Sequence, residues 1–119
     1  MTRVFVYGTL KRGGRNHAYL AGQKFIGEAR TSPGYTLYSL GNYPGMVRST
    51  EATGDVSGEI WEVDATCLIG LDQLEGVAEA LYERVSITLA PPHAAITTET
   101  YLYLRSLKGR NTIGPFWPI

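Results

Sequence analysis

Cysteine is almost absent from this chain. Cys67 stands alone among 119 residues, so no internal disulfide can form, and no cysteine–histidine set has the spacing of a metal site. Net charge is absent too. Eleven basic residues balance eleven acidic ones, which leaves no field to draw in nucleic acid or an anionic membrane. No apolar run approaches membrane-spanning length, and no charged-then-apolar leader precedes the first strand-forming run, so a cytoplasmic protein is expected. Several motifs are also missing: a Walker loop, GxGxxG, GxSxG, and any Cys–His pattern suited to nucleophilic catalysis. Nucleotide cradles and covalent serine or cysteine chemistry are therefore unsupported.

What is present is an ordinary folding composition. Apolar residues make up 44% and charged residues 18%, which excludes disorder, and the length suits one domain over residues 1–119. Runs rich in β-branched and aromatic residues predict strands at Arg3–Tyr7, Lys24–Arg30, Tyr35–Leu40, Met46–Arg48, Asp55–Asp64, Tyr82–Leu89 and Thr98–Leu104. Glycine and proline punctuate most of the gaps. One helix is expected after Asp64, a good N-cap, running through "ATCLIGLDQLE" to Gly76. A shorter one is expected near Asn16, whose side chain is placed to cap "HAYLAG". Strand and helix signals do not alternate as a doubly wound sheet requires, so the expected class is α+β, with a mixed, partly closed small barrel and one or two short helices.

Two stretches invite chemistry. In "RVFVYGTLKRGG" a strand runs into Gly8, where the main chain can approach a ligand and successive N–H groups can hold an oxyanion or carboxylate. A tight turn without any ligand explains the same tetrapeptide. In the helix, Leu68, Leu71 and Leu74 fall on one stripe at ~100° per residue, and Glu75 lies between them on that face. A carboxylate set among leucines has a raised pKa unless a cation or donors compensate, which makes it a usable base near neutrality. The competing reading gives Glu75 to solvent at a fraying helix end, or to Arg84. Asp72 sits at the border of the stripe. Tyr82 and Arg84 alternate along the next strand and can both face Glu75, or form its ordinary outer face. His17 and His93 have no partner spacing, and Cys67 reads as a small buried hydrophobe.

Taken in order, "VFVYGTL", "KRGGRNHAYL", "GYTLYSLGNYPGMV", "GEIWEVD", "LDQLEGV", "LYERV" and "TYLYL" resemble the γ-glutamylcyclotransferase-like family. The resemblance runs from Val4 to Tyr103 and is nearest the compact branch that includes γ-glutamylamine cyclotransferases. It implies a mixed α+β fold around a small, partly closed barrel with the active cavity at its mouth. It also implies that main-chain amides of Tyr7, Gly8, Thr9 and Leu10 bind the γ-glutamyl part of a small-molecule substrate, and that Glu75 is the acid/base. Tyr82, Tyr43 and Tyr103 match aromatic positions that can line the pocket. Val77 followed by Ala-Glu-Ala departs from the expected aromatic or proline-rich connection, which leaves the leaving amine open.

The implied reaction needs no cofactor and no metal: the substrate's α-amine attacks its own γ-amide carbonyl, closes 5-oxoproline and expels an amine. Because a direct ion pair would lower the pKa of Glu75, Arg84 is expected to act structurally, through Asp72 or a backbone carbonyl. Two alternatives stay open: a non-enzymatic ligand-binding or protein-interaction module of the same fold, and a small nucleic-acid-binding barrel, which the neutral charge argues against.

Overall fold

The first strand, β1 (Thr2–Val6), is apolar on both faces because both faces are covered. Val4 and Val6 point to one side, where they meet Leu20, Trp61, Val63 and Leu71. Phe5, and Tyr7 just beyond the strand, point to the other, among Leu37, Met46, Ile60 and Leu102. The two-residue period of a strand thus divides one continuous hydrophobic run between two cores.

The computed structural model describes residues 1–50 and 54–119. Around β1 it sets β2 (Lys24–Arg30), β3 (Tyr35–Ser39), β4 (Pro44–Arg48), β5 (Ser57–Val63), α1 (Ala65–Leu74), β6 (Tyr82–Ile87) and β7 (Thr98–Tyr103). Five strands form one sheet in the order β2-β5-β1-β7-β6, and β3-β4 form a separate hairpin. The large sheet is mixed: β1 runs antiparallel to β5 (Thr2 opposite Val63, Val6 opposite Glu59) and parallel to β7, with Val4 opposite Glu99. The edge strands β2 and β6 curl round until the chain just past each of them touches. Thr31 bridges Leu89, Ser32 N–H donates to Thr88 O (3.1 Å) and Ala90 N–H donates to Arg30 O (2.8 Å). Those contacts bring the two edges of the mixed sheet together at one end.

All seven expected strands form, with ends moved by a few residues. β4 begins at Pro44 rather than Met46, two residues earlier than expected. A proline is tolerated there as the first residue of a strand. The helix is where Asp64 places it: the Asp64 carboxylate accepts from Cys67 N–H at 2.7 Å, and Gly76 ends the helix in the left-handed region at φ 64°. The second helix is only a 3-10 turn, His17–Leu20, and the expected cap is absent. Asn16 turns away and donates its Nδ2 to Thr9 Oγ1 at 3.0 Å. Among the described residues, no helix is long and apolar enough to cross a membrane.

Candidate active site

Where β1 ends, the chain turns back on itself. Lys11 N–H donates to Gly8 O at 3.2 Å, closing a four-residue turn that carries Thr9 and Leu10. Asn16 pins the turn from the far side, donating its N–H to Thr9 O (3.0 Å) and its Nδ2 to Thr9 Oγ1 (3.0 Å). His17 adds a contact, its Nδ1 2.9 Å from Leu10 O, while its ring meets Trp61 edge-on. Among the described residues, no hydrogen bond takes up the N–H of Gly8, Thr9 or Leu10. Glycine is needed at position 8 for a reason the sequence does not reveal. A Cβ there would lie 2.7 Å from Cγ of Pro44, so β4 packs where a side chain would project.

This turn forms one wall of a cavity of about 240 Å³. Tyr43 and Pro44 from the hairpin, Leu74 and Glu75 from the end of α1, and Tyr82 and Tyr101 from the sheet complete most of it. The leucine stripe turns the last helical residue inward. Leu71 is fully buried, Leu68 and Leu74 pack on the same core, and Glu75 caps the helix with its N–H bonded to Leu71 O. Among the described residues, no cation or donor engages the Glu75 carboxylate. Burial alone pushes its pKa up to about 7.

The guanidinium of Arg84, on the strand after the helix, is drawn elsewhere. Arg84 gives Nε to Asp72 Oδ1 (2.9 Å), Nη2 to Asp72 Oδ2 (3.2 Å) and Nη1 to Glu99 Oε1 (2.8 Å). Tyr101 Oη donates to the same Asp72 Oδ1 at 2.7 Å. Arg84 therefore works through Asp72 and leaves Glu75 uncompensated.

The tyrosines divide by role. Tyr7 Oη donates to Tyr101 O (2.6 Å) and accepts from Met46 N–H (3.2 Å), while Tyr82 Oη donates to Pro44 O (2.6 Å). Both hydroxyls are thus held by main chain, and burial, reinforced by the nearby Glu75 carboxylate, raises both pKa values and keeps them neutral. Tyr82 is a buried wall of the cavity and not part of an outer face. Tyr43 also lines the cavity. Tyr103 does not. The β6–β7 register sets it opposite Tyr82, so its ring packs edge-on behind that residue, with centroids 5.3 Å apart. Tyr101, two residues earlier on the same face, takes the place at the wall. The resemblance pointed to Tyr103, and strand parity alone does not separate the two. Arg15 and Pro44, which carry no local signal in the sequence, also line the cavity, as does Asn16. The loop spacing contained Asn16, but its side chain reads there as a helix cap.

Among the described residues, no group of three histidine, cysteine, aspartate or glutamate side chains is arranged to hold a metal.

Residues 4–115 match the family model described as gamma-glutamyl cyclotransferase, AIG2-like. The chain belongs to this family. A relative from Vibrio cholerae is 47% identical over 74 residues, which cover 62% of this chain and 62% of that protein. The YtfP protein of Escherichia coli, named as a gamma-glutamylcyclotransferase family protein, is 38% identical over 72 residues, 60% of each chain. The aligned stretch thus spans less than two thirds of either relative. In three dimensions the solution structure of YtfP superposes with a TM-score of 0.72 at 32% identity, over 98% of this chain and 95% of that one. A mouse AIG2-like protein superposes with a TM-score of 0.82 at 26% identity, over 98% and 88%.

Proposed function

We propose that residues 1–119 form a single catalytic domain, a γ-glutamyl(amine) cyclotransferase that releases 5-oxoproline and a free amine from a small γ-glutamyl amide without a cofactor. One observation carries the reading: a carboxyl group with its pKa near 7, unpaired, in a cavity whose facing turn presents unengaged main-chain N–H groups.

In this scheme the Glu75 carboxylate takes one proton from the substrate's α-ammonium. The freed amine attacks the γ-carbonyl carbon, and the carbonyl π electrons move onto oxygen. Glu75 returns its proton to the leaving nitrogen, the C–N bond breaks and the carbonyl re-forms in a five-membered ring. The ring nitrogen's surplus proton ends on the released amine, which departs as its ammonium. Because the nucleophile is already part of the substrate, holding the chain folded supplies much of the acceleration. The amides of Gly8, Thr9 and Leu10 hold the γ-glutamyl group and receive the oxyanion as preorganised donors. The rings of Tyr7, Tyr43 and Tyr82 shape the wall, and Tyr103 supports Tyr82 from behind.

The test is the fate of the α-amine. A γ-glutamyl amide should yield 5-oxoproline, and its N-acetyl analogue and α-linked isomer none. Free glutamate as the first product, or cleavage of the acetylated compound at a comparable rate, would mean that water is the nucleophile and would overturn the proposal.

A further inference from the structure

The segment after β7 has no regular secondary structure, yet it is tied down along its length. Ser39 N–H donates to Asn111 O (2.9 Å), Ile113 N–H to Leu37 O (2.9 Å) and Ser57 N–H to Pro115 O (2.7 Å), while Ile113 and Trp117 pack on the barrel core. The strap passes from the hairpin to the start of β5 and then reaches the site loop. There Lys11 Nζ donates to Trp117 O at 2.6 Å, with the Phe116 ring centroid 5.8 Å from the ammonium. Beyond it, a Cβ on Gly13 would sit 3.0 Å from Cγ2 of Ile119. The matched family stretch ends at residue 115, so Trp117 lies outside it.

Lys11 is the residue whose own N–H closes the turn on Gly8 O. The turn therefore has two pins. Asn16 holds Thr9 from one side, and the Lys11 side chain anchors the other end to a carbonyl made rigid by the strap. An ammonium–carbonyl bond is charge-assisted, and Lys11 is only part-exposed, so the contact is part-buried. The carboxylate whose charge reaches the ammonium, Glu59, is bonded to Arg12 N–H (3.0 Å) and Nε (3.1 Å) and forms no ion pair with Lys11 among the described residues.

We propose that Lys11 is a positioning residue: its bond to the Trp117 carbonyl lets the strap set where the amides of Gly8, Thr9 and Leu10 point, and so sets affinity for the γ-glutamyl group. The inference rests on the proposed cyclotransferase reading for its kinetic consequence, but not for its structural one.

Both can be measured separately. Lys11→Met keeps the chain length and removes the donor, Lys11→Arg keeps a charged donor, and a variant ending at Pro115 removes the acceptor. Amide hydrogen exchange at Lys11 and Asn16, whose N–H groups are bonded to Gly8 O and Thr9 O and report whether the turn is closed, should speed up in Lys11→Met and in the shortened variant, and stay near wild type in Lys11→Arg. With a γ-glutamyl amide, Lys11→Met should raise KM roughly tenfold with a smaller change in kcat, the scale of one hydrogen bond to a charged group. The acid limb of the pH profile should stay in place, because Glu75 lies on a different element. Combining Lys11→Met with the shortening should add no further loss, since both cut the same bond. Unchanged exchange at the Lys11 and Asn16 amides in Lys11→Met would overturn the proposal whatever the activity. So would additive kinetic losses. Absence of 5-oxoproline from the unmodified protein would strike the functional reading alone, and the exchange measurement would still decide the latch.

Discussion

Asp72 and Arg84 are joined by two hydrogen bonds, at 2.9 and 3.2 Å, and the pair keeps the guanidinium away from Glu75 one helical step further on. Had Arg84 turned to Glu75, the carboxyl would sit low and be a poor base. Asp72→Asn weakens this clamp, but Glu99 still holds Nη1 of the arginine. The expected result is a loss of about 1–2 kcal/mol of stability for a part-exposed pair and less than a tenfold loss of kcat/KM. A loss as large as that at Glu75 would mean that Asp72 is the working carboxylate.

Glu75→Gln preserves shape and hydrogen bonding while deleting the proton acceptor. Turnover on an established γ-glutamyl amide should fall roughly 10²–10⁴-fold, the usual contribution of one general base. In the unmutated protein, kcat/KM should decline below a pH of about 7, where Glu75 becomes protonated. Near-normal turnover in the glutamine variant would remove Glu75 from the mechanism.

The same residue should limit stability at alkaline pH. Its folded pKa lies above the ordinary carboxyl value, so between about 4.5 and 7 the folded state holds a proton that the unfolded state has released. Stability therefore falls as pH rises through that window, and the penalty is complete above it. Glu75→Gln avoids the penalty and should be more stable than wild type at pH 8, by roughly 2–3 kcal/mol. At pH 4 the difference should nearly vanish. Thermal melts at the two values check it, and equal melting temperatures at pH 8 would show that the carboxylate is well solvated.

Gly8→Ala is expected to harm the protein through Pro44 and not through lost flexibility. The added methyl meets a rigid pyrrolidine ring at 2.7 Å, so the hairpin must move away from the site loop. A cost of about 1–3 kcal/mol is typical of such overpacking, with a rise in KM as the cavity opens. Denaturant unfolding and steady-state kinetics would measure the two effects. An alanine variant with wild-type stability would place Pro44 farther away than it is here.

Dialysis against a strong chelator should leave the rate unchanged, because the proposed steps use only Glu75 and main-chain amides. Activity lost on chelation and restored by zinc or manganese would require a different mechanism.

Much of this was legible in the residues. A strand needs only a local run of suitable side chains, and seven such runs became seven strands. Asp64 and Gly76 bounded the helix because capping is decided within three or four residues. The inward turn of Glu75 followed from helical periodicity, since a stripe that buries Leu71 carries its neighbour with it. Other features had no local signature. Asn16 looked like a helix cap, but Thr9 lay within reach and offered it a hydroxyl. Tyr101 and Tyr103 share one face of β7, and only the register with β6 put Tyr103 behind Tyr82 and Tyr101 at the cavity. Arg84 chose Asp72 and Glu99 over Glu75 because α1, β6 and β7 converge there. The strap that brings Trp117 to Lys11 joins residues 106 positions apart. Local sequence thus determined which segments form strand or helix and which carboxylate faces inward. Tertiary packing decided which partners each polar group found, because contacts between distant segments exist only once the chain has closed.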